Sequence, residues 1–282
     1  METKKVWLVT GASRGLGLAL VKELLVNGYR VAATTRDLSG FSAIANSSPQ
    51  HFLPIQMNLL DEHSVQQGIQ KMLDTFGRVD VVVNNAGYGQ IGTLEELTDQ
   101  ESRRNFDVNV FGSLNIIRKI LPQLRKQQSG AIFNIASVGG FTGNFPGWGI
   151  YCATKFAVAG FTESLAAEVK SFGITATVVY PGYFRTDFLS DESLNLPAQP
   201  ILEYKEARAL EAAHKEQIQG NQAGDPHKAA NALIEIAEGK ELPLHLFLGS
   251  DAFQMAEAKI AEVQQQLHKF EAISKSTEFS AA

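Results

Sequence analysis

Apolar residues in this chain follow two rhythms. Short unbroken runs alternate with longer stretches in which apolar positions recur every three or four residues. The first run is Val6-Trp7-Leu8-Val9-Thr10; Leu18, Leu20, Val21, Leu24 and Leu25 then follow at helical spacing. The two rhythms predict a strand and an amphipathic helix. Further strands are expected at 30–35, 52–57, 80–84, 131–136, 174–180 and 244–248. The unbroken run Asp80-Val81-Val82-Val83-Asn84 predicts a strand buried on both faces. Helices are expected at 61–76, with Asp61 as N-cap, and at 99–127, interrupted near Pro122. Another opens at Tyr151, and one begins at Asp225-Pro226 with proline in its first turn. Strands alternating with helices predict an α/β fold, a doubly wound parallel sheet with helices on both faces.

The rhythm weakens after Phe188. Pro197 and Pro200 break it, and 203–217 reads as an Ala/Glu/Lys-rich helix. An insertion at 188–222, after a strand end, is expected to form a lid on the substrate side. The tail at 251–282 is expected to be helical. Phe253, Ala256, Ile260, Val263, Leu267 and Phe270 form one apolar face on it, expected to dock on the body or on a second subunit. No linker or repeat divides the chain, so residues 1–250 are expected to form one domain.

Composition narrows the class. Hydrophobic residues make up 44% and charged residues 20% of 282, as in a globular protein. A net charge of −5 with no Lys/Arg cluster argues against nucleic acid as partner. No apolar run reaches membrane-spanning length, and the N-terminus lacks a signal peptide's apolar region. Cys152 is the single cysteine, so no internal disulfide forms, and the chain reads as cytoplasmic. Cys152 itself reads as a small packing residue. No metal site is expected.

Three stretches carry chemistry. Gly11-Ala12-Ser13-Arg14-Gly15-Leu16-Gly17 joins the first strand to the first helix. Such glycines allow a tight turn and the close approach of a pyrophosphate to the helix N-terminus, as in Rossmann-type nucleotide sites. About 20 residues on, where an acidic residue would hold a ribose 2′-hydroxyl, stands Arg36. With Arg14 it suits a 2′-phosphate, so NADP(H) is expected over NAD(H); the alternative gives Asp37 the ribose. The second stretch, Asn84-Asn85-Ala86-Gly87, is small and polar at a strand's carboxyl end, where ligands sit in open α/β sheets. In the third, Ser137 ends a strand and Tyr151 and Lys155 lie one helical turn apart. An ammonium beside a phenol favours the phenolate, so Tyr151 is expected to have a lowered pKa and to exchange protons near neutrality.

Taken in order, these motifs resemble the short-chain dehydrogenase/reductase family in its standard single-domain form, over about residues 5–250. The resemblance implies that Gly11, Ser13, Arg14, Gly15, Leu16 and Gly17 form the cofactor loop. Asn85, Ala86 and Gly87 would border the ribose, and Asn109, Ser137, Tyr151 and Lys155 match the catalytic tetrad. Pro181, Gly182, Phe184 and Thr186 would lie beside the nicotinamide, with Thr186 on its carboxamide. One departure is Asn58-Leu59, where the family usually carries Asp before an apolar residue at the adenine; the Asn oxygen can still accept from the adenine amino group.

The implied activity is NADP(H)-dependent interconversion of a carbonyl and an alcohol, with Tyr151 as general acid/base. Ser137 would hold the reacting oxygen, Lys155 would bond the ribose and depress the Tyr151 pKa, and Asn109 would hold a relaying water. Phe141, Phe145, Trp148, Tyr183 and Phe188 flank the expected site and point to a small apolar or aromatic substrate; ordinary loop packing is the alternative. The resemblance also implies a homodimer or homotetramer. A non-catalytic NADP(H) sensor of the same fold is the rival reading, opposed by the filled tetrad. A sugar-nucleotide epimerase is opposed by the glycine spacing.

Overall fold

A computed structural model of the chain describes residues 4–44, 50–190 and 193–279. The expected positions 191–192 of the insertion and 280–282 of the tail lie outside the described residues. The chain runs β1 (Val6–Val9), α1 (Gly15–Val26), β2 (Arg30–Thr35), β3 (Phe52–Gln56), α2 (Glu62–Phe76), β4 (Val81–Asn84) and β5 (Gly89–Gln90). It continues with α3 (Asp99–Phe106), α4 (Gly112–Gln127), β6 (Gly130–Ile135), α5 (Gly149–Val169), β7 (Ile174–Pro181), β8 (Leu194–Asn195) and α6 (Lys205–Ala213). The last elements are α7 (Pro226–Glu238), β9 (His245–Leu248), α8 (Ser250–Lys269) and α9 (Glu271–Lys275).

Seven strands form one parallel sheet in the order β3-β2-β1-β4-β6-β7-β9. The chain builds outward from β1 to β3, then returns to place β4 on the other side of β1. That reversal is the switch point at which open α/β sheets bind ligands. β3 pairs only with β2, an edge position that tolerates Pro54, which has no N–H to give. β1 is buried along its whole length, as its apolar run requires.

Two cores sandwich the sheet. On one face Val9, Val31 and Phe133 pack with Leu20 and Leu24 of α1 and Leu233 of α7. On the other, Leu8, Val82 and Ile132 pack with Met72 of α2, Ile116 and Ile120 of α4 and Leu165 of α5. The helices start where their caps allow. Asp61 accepts from His63 N at 2.9 Å, and Asp225 accepts from His227 N at 2.8 Å. Thr98 and Glu101 form a reciprocal capping box on α3.

The long helix differs from expectation in the place of its interruption. Pro122 lies inside α4, where it is exposed, so the carbonyl it leaves unpaired can meet water. The irregularity lies earlier, in a π-helical turn at Asp107–Phe111 that contains Asn109. Likewise the expected helix at 203–217 ends as α6 at Ala213 and passes into a second π-helical turn, His214–Ile218.

The segment after β7 is tied back to the body at several points. β8 pairs with β5. The Glu96 carboxylate accepts from Ile201 N and Thr93 N, each at 2.6 Å, and pairs with Arg208 at 3.0 Å. The tail is helical as expected, but its apolar face does not meet the body. Only Ala252 and Ala256 of α8 are buried, and Phe253, Ile260, Val263, Leu267 and Phe270 are exposed, so the apolar stripe does not dock on the body. No helix among the described residues is long and apolar enough to cross a membrane.

Candidate active site

The carboxyl ends of β1 and β4 are sewn together beside the switch point. Asn85 Nδ2 donates to Thr10 O at 3.0 Å and Gly11 O at 2.9 Å. Thr10 Oγ1 accepts from Asn85 N at 3.0 Å and Ala86 N at 3.2 Å. At two of its glycines the glycine loop has no room for a side chain. A Cβ at Gly11, whose φ is +60°, would sit 2.6 Å from Ala86 Cα, and one at Gly17 would sit 2.5 Å from Asn85 Nδ2. The glycines thus let two loops close on each other while the backbone faces outward at the N-terminus of α1, where an anion is favoured.

A cavity of about 460 Å³ runs from this loop along the sheet ends. Gly11, Ser13, Arg14, Gly15, Leu16 and Arg36 line one end, and Asn58, Leu59, Asn85, Ala86 and Gly87 follow. Ser137, Tyr151, Lys155, Pro181, Gly182, Phe184 and Thr186 line the other. Gly17 lies behind the loop, against Asn85.

Arg36 lines the cavity, whereas Asp37 points into its own turn. Asp37 Oδ1 accepts from Ser39 N at 3.0 Å and Oδ2 from Ser39 Oγ at 2.7 Å. The Ser39 N–H, with its hydroxyl, holds the Asp37 carboxyl below the usual range. Asn58 Oδ1 already accepts from Leu60 N at 3.1 Å, which leaves a single lone pair for any further donor.

At the other end β6 delivers Ser137, which caps a short turn at Val138–Gly140 by accepting from Gly139 N at 3.1 Å. A Cβ at Gly140 would meet Lys155 O at 2.6 Å, so the glycine lets this turn press against α5. The contact sets Ser137 beside Tyr151, where its hydroxyl favours the phenolate. Lys155 is buried, and its Nζ donates to Ile135 O at 2.9 Å. Asn109 sits in the π-helical turn, with Oδ1 accepting from Tyr88 N at 3.0 Å. Its Nδ2 donates to Tyr88 O and to Thr154 Oγ1, both at 3.1 Å. A methyl on Gly87 would lie 3.0 Å from Asn109 Oδ1 and 3.5 Å from Lys155 Nζ, so these two groups border one space.

The electrostatics correct the expectation of an acidic phenol. Burial drives the Tyr151 pKa up, and the Ser137 hydroxyl offsets only part of this. Burial also brings Lys155 down to about 8, because the same apolar surroundings that disfavour a phenolate disfavour an ammonium. Cys152 is pushed up to about 11 by burial, which fits an inert packing thiol.

Four of the five flanking aromatics line the cavity: Phe145, Trp148, Tyr183 and Phe188. Phe141 does not. It packs edge-on against Tyr180 and Phe247, with ring centroids 5.6 and 5.1 Å away. Other lining residues escaped the sequence reading: Tyr88, Arg104, His214 and Gln222. Tyr88 directly follows the Asn85-Ala86-Gly87 motif, which is the one available signal. His214 lies in a stretch patterned like a solvated helix, and only the fold buries it. Among the described residues no group of three His, Cys, Asp or Glu is placed to hold a metal ion.

Known proteins agree with this architecture. The family described as short chain dehydrogenase matches residues 5–196. The chain is 37% identical over 262 residues to the oxidoreductase BOA17 of Botryotinia fuckeliana (strain B05.10), covering 92% of this chain and 93% of that one. A solved short-chain dehydrogenase from Streptomyces avermitilis superposes with a TM-score of 0.89 at 34% identity, covering 97% of this chain and 100% of that one. ElxO, solved with NADP bound, is 28% identical with a TM-score of 0.73, over 89% of this chain and 100% of that one. The chain belongs to the short-chain dehydrogenase/reductase family of oxidoreductases.

Proposed function

We propose that the protein interconverts a carbonyl compound, ketone or aldehyde, and the corresponding alcohol, with NADP(H) as hydride partner. The observation that carries this reading is one continuous cavity joining the glycine loop, Arg14 and Arg36 to Ser137, Tyr151 and Lys155. A bound nicotinamide dinucleotide supplies the hydride. In this reading Gly11, Ser13, Gly15, Leu16 and Gly17 receive the pyrophosphate, and Arg14 and Arg36 take the 2′-phosphate by charge-assisted bonds. Asn58 and Leu59 border the adenine. Asn85, Ala86 and Gly87 border the ribose, and Pro181, Gly182, Phe184 and Thr186 the nicotinamide side.

Tyr151 gives its proton to the carbonyl oxygen in reduction and recovers it in oxidation. Burial favours the protonated phenol, the form that reduction needs. Ser137 holds the same oxygen by a hydrogen bond that strengthens as charge develops. The Lys155 ammonium steadies the phenolate that forms. Asn109 and Lys155 border the space over Gly87, where a water would link them toward solvent. The 188–222 segment acts as a substrate-side lid, held by Glu96 and by the β5–β8 pairing.

The test is a panel of ketones and aldehydes assayed by loss of reduced-nicotinamide absorbance with NADPH and with NADH. Oxidation of NADPH by members of the panel, at least about tenfold faster than of NADH, is expected. A panel that oxidises neither nucleotide refutes the carbonyl reading, and a preference for NADH refutes the role given to the arginines.

A further inference from the structure

Tyr183 is a point where three parts of the chain meet. Its main-chain N–H donates to Asp251 Oδ2 of α8 at 2.7 Å, and its carbonyl accepts from Gly224 N at 3.1 Å. Its hydroxyl lies 2.9 Å from His214 Nε2. His214 comes from the far end of the 188–222 segment and is 2% exposed. Its ring packs 5.0 Å from Trp148 and 5.6 Å from Tyr183.

The hydrogen-bond directions follow from chemistry. His214 Nδ1 lies 2.7 Å from Leu210 O, and a carbonyl oxygen can only accept, so Nδ1 carries the proton. In the neutral ring Nε2 is then an acceptor, and Tyr183 must donate to it. Burial disfavours the charged imidazole and keeps the ring in this form. With its proton committed, the Tyr183 oxygen has only lone pairs left to offer. Phe145, Trp148, Phe188 and Leu189 share the cavity wall with it, alongside the buried Gln222 Oε1 and the Trp148 indole N–H, neither of which has a partner among the described residues. Tyr151 belongs to the same aromatic cluster, 5.3 Å from Trp148 and 5.8 Å from Phe188. A molecule whose carbonyl meets Tyr151 and Ser137 therefore meets, elsewhere on a largely aromatic wall, the Tyr183 oxygen as a hydrogen-bond acceptor.

We propose that Tyr183, fixed by His214, selects flat apolar ketones and aldehydes that carry a hydroxyl group besides the reacting carbonyl. This rests on the carbonyl–alcohol reading above. Tyr183 binds the hydroxyl directly, and His214 is a positioning residue that sets which partner donates. A methyl ether in place of the hydroxyl has no proton to give and leaves the buried oxygen unmatched.

The experiment is calorimetric titration of protein saturated with NADP+, which requires no turnover. The probes are acetophenone, its three ring-hydroxylated isomers and the corresponding methyl ethers. At least one hydroxy compound is expected to bind about tenfold tighter than its ether. Tyr183→Phe, which keeps the ring and removes the oxygen, brings that ratio close to one. His214→Leu frees the phenol proton and shifts the ratio toward the ether, whereas His214→Gln supplies an acceptor again and restores it. Equal binding of hydroxy and methoxy compounds by the unaltered protein, a ratio that survives Tyr183→Phe, or no binding of any probe overturns the proposal. Failure to bind NADP+ in the first titration would instead strike the dinucleotide reading beneath it.

Discussion

Lys155 is a cation held where water scarcely reaches, and burial brings its pKa to about 8. The folded value lies below the unfolded one, so between about pH 8 and 10.5 the unfolded chain binds a proton that the folded chain lacks. The stability attached to this group is therefore fully present above the unfolded value and lost as pH falls through about 8. Lys155→Met removes the titration. The stability of the natural protein relative to this variant is expected to rise by on the order of 3 kcal/mol between pH 7 and 10.5. Urea unfolding at both pH values measures it, and a constant difference would contradict it. At Gly17 the constraint is steric. Gly17→Ala puts a methyl 2.5 Å from Asn85 Nδ2 and 2.6 Å from Gly11 O. It is expected to cost about 1–3 kcal/mol of stability and to weaken NADPH binding, seen as a lower Tm and a smaller rise in Tm on adding nucleotide. Residues of this kind were legible in the sequence because backbone chemistry restricts them: glycines at tight turns, or a Tyr and a Lys one helical turn apart. His214 was not, because its burial comes from a contact across the fold rather than from its neighbours in sequence.

Elements were legible where the apolar rhythm is strong. All seven strands of the main sheet fall within a residue or two of expectation, since buried parallel strands need unbroken apolar runs. The π-helical turn at Asp107–Phe111 was not legible, because the apolar and polar pattern of a long helix looks the same with or without an inserted residue. The turn places Asn109 where Tyr88 and Thr154 satisfy it, and π-turns often occur at functional sites. The 188–222 segment hides its order for another reason: its anchors are remote polar contacts. Glu96 has a fully buried carboxylate. Burial alone would raise its pKa, but the Thr93 and Ile201 N–H groups and Arg208 hold it below the usual range. Glu96→Gln removes the charge facing Arg208 and is expected to destabilise this segment by about 1–3 kcal/mol. Amide exchange should quicken across 201–213 while the sheet keeps its protection; unchanged exchange there would show that other contacts hold the segment.

At the scale of the whole molecule, alternating strands and helices foretold the doubly wound sheet, while the strand order awaited the fold. The tail was the larger surprise. Its periodicity is real, yet residues 260–279 are exposed throughout. Only its first turn bears on the site, through Asp251 and the Tyr183 N–H. A chain ending at Lys259 is therefore expected to unfold within roughly 0.5 kcal/mol of the full-length protein. One ending at Gly249 should lose more, since the Pro181-Gly182-Tyr183 turn loses its acceptor. Denaturant titration of the three lengths checks this. The proposed reaction depends on the Tyr151 hydroxyl as the proton carrier. Its most direct test compares the natural protein with Tyr151→Phe, measuring NADPH affinity and single-turnover NADPH oxidation with a carbonyl substrate found in the panel. The variant should bind NADPH with nearly the natural affinity and fail to oxidise it, whereas turnover close to the natural rate would remove Tyr151 from the chemistry.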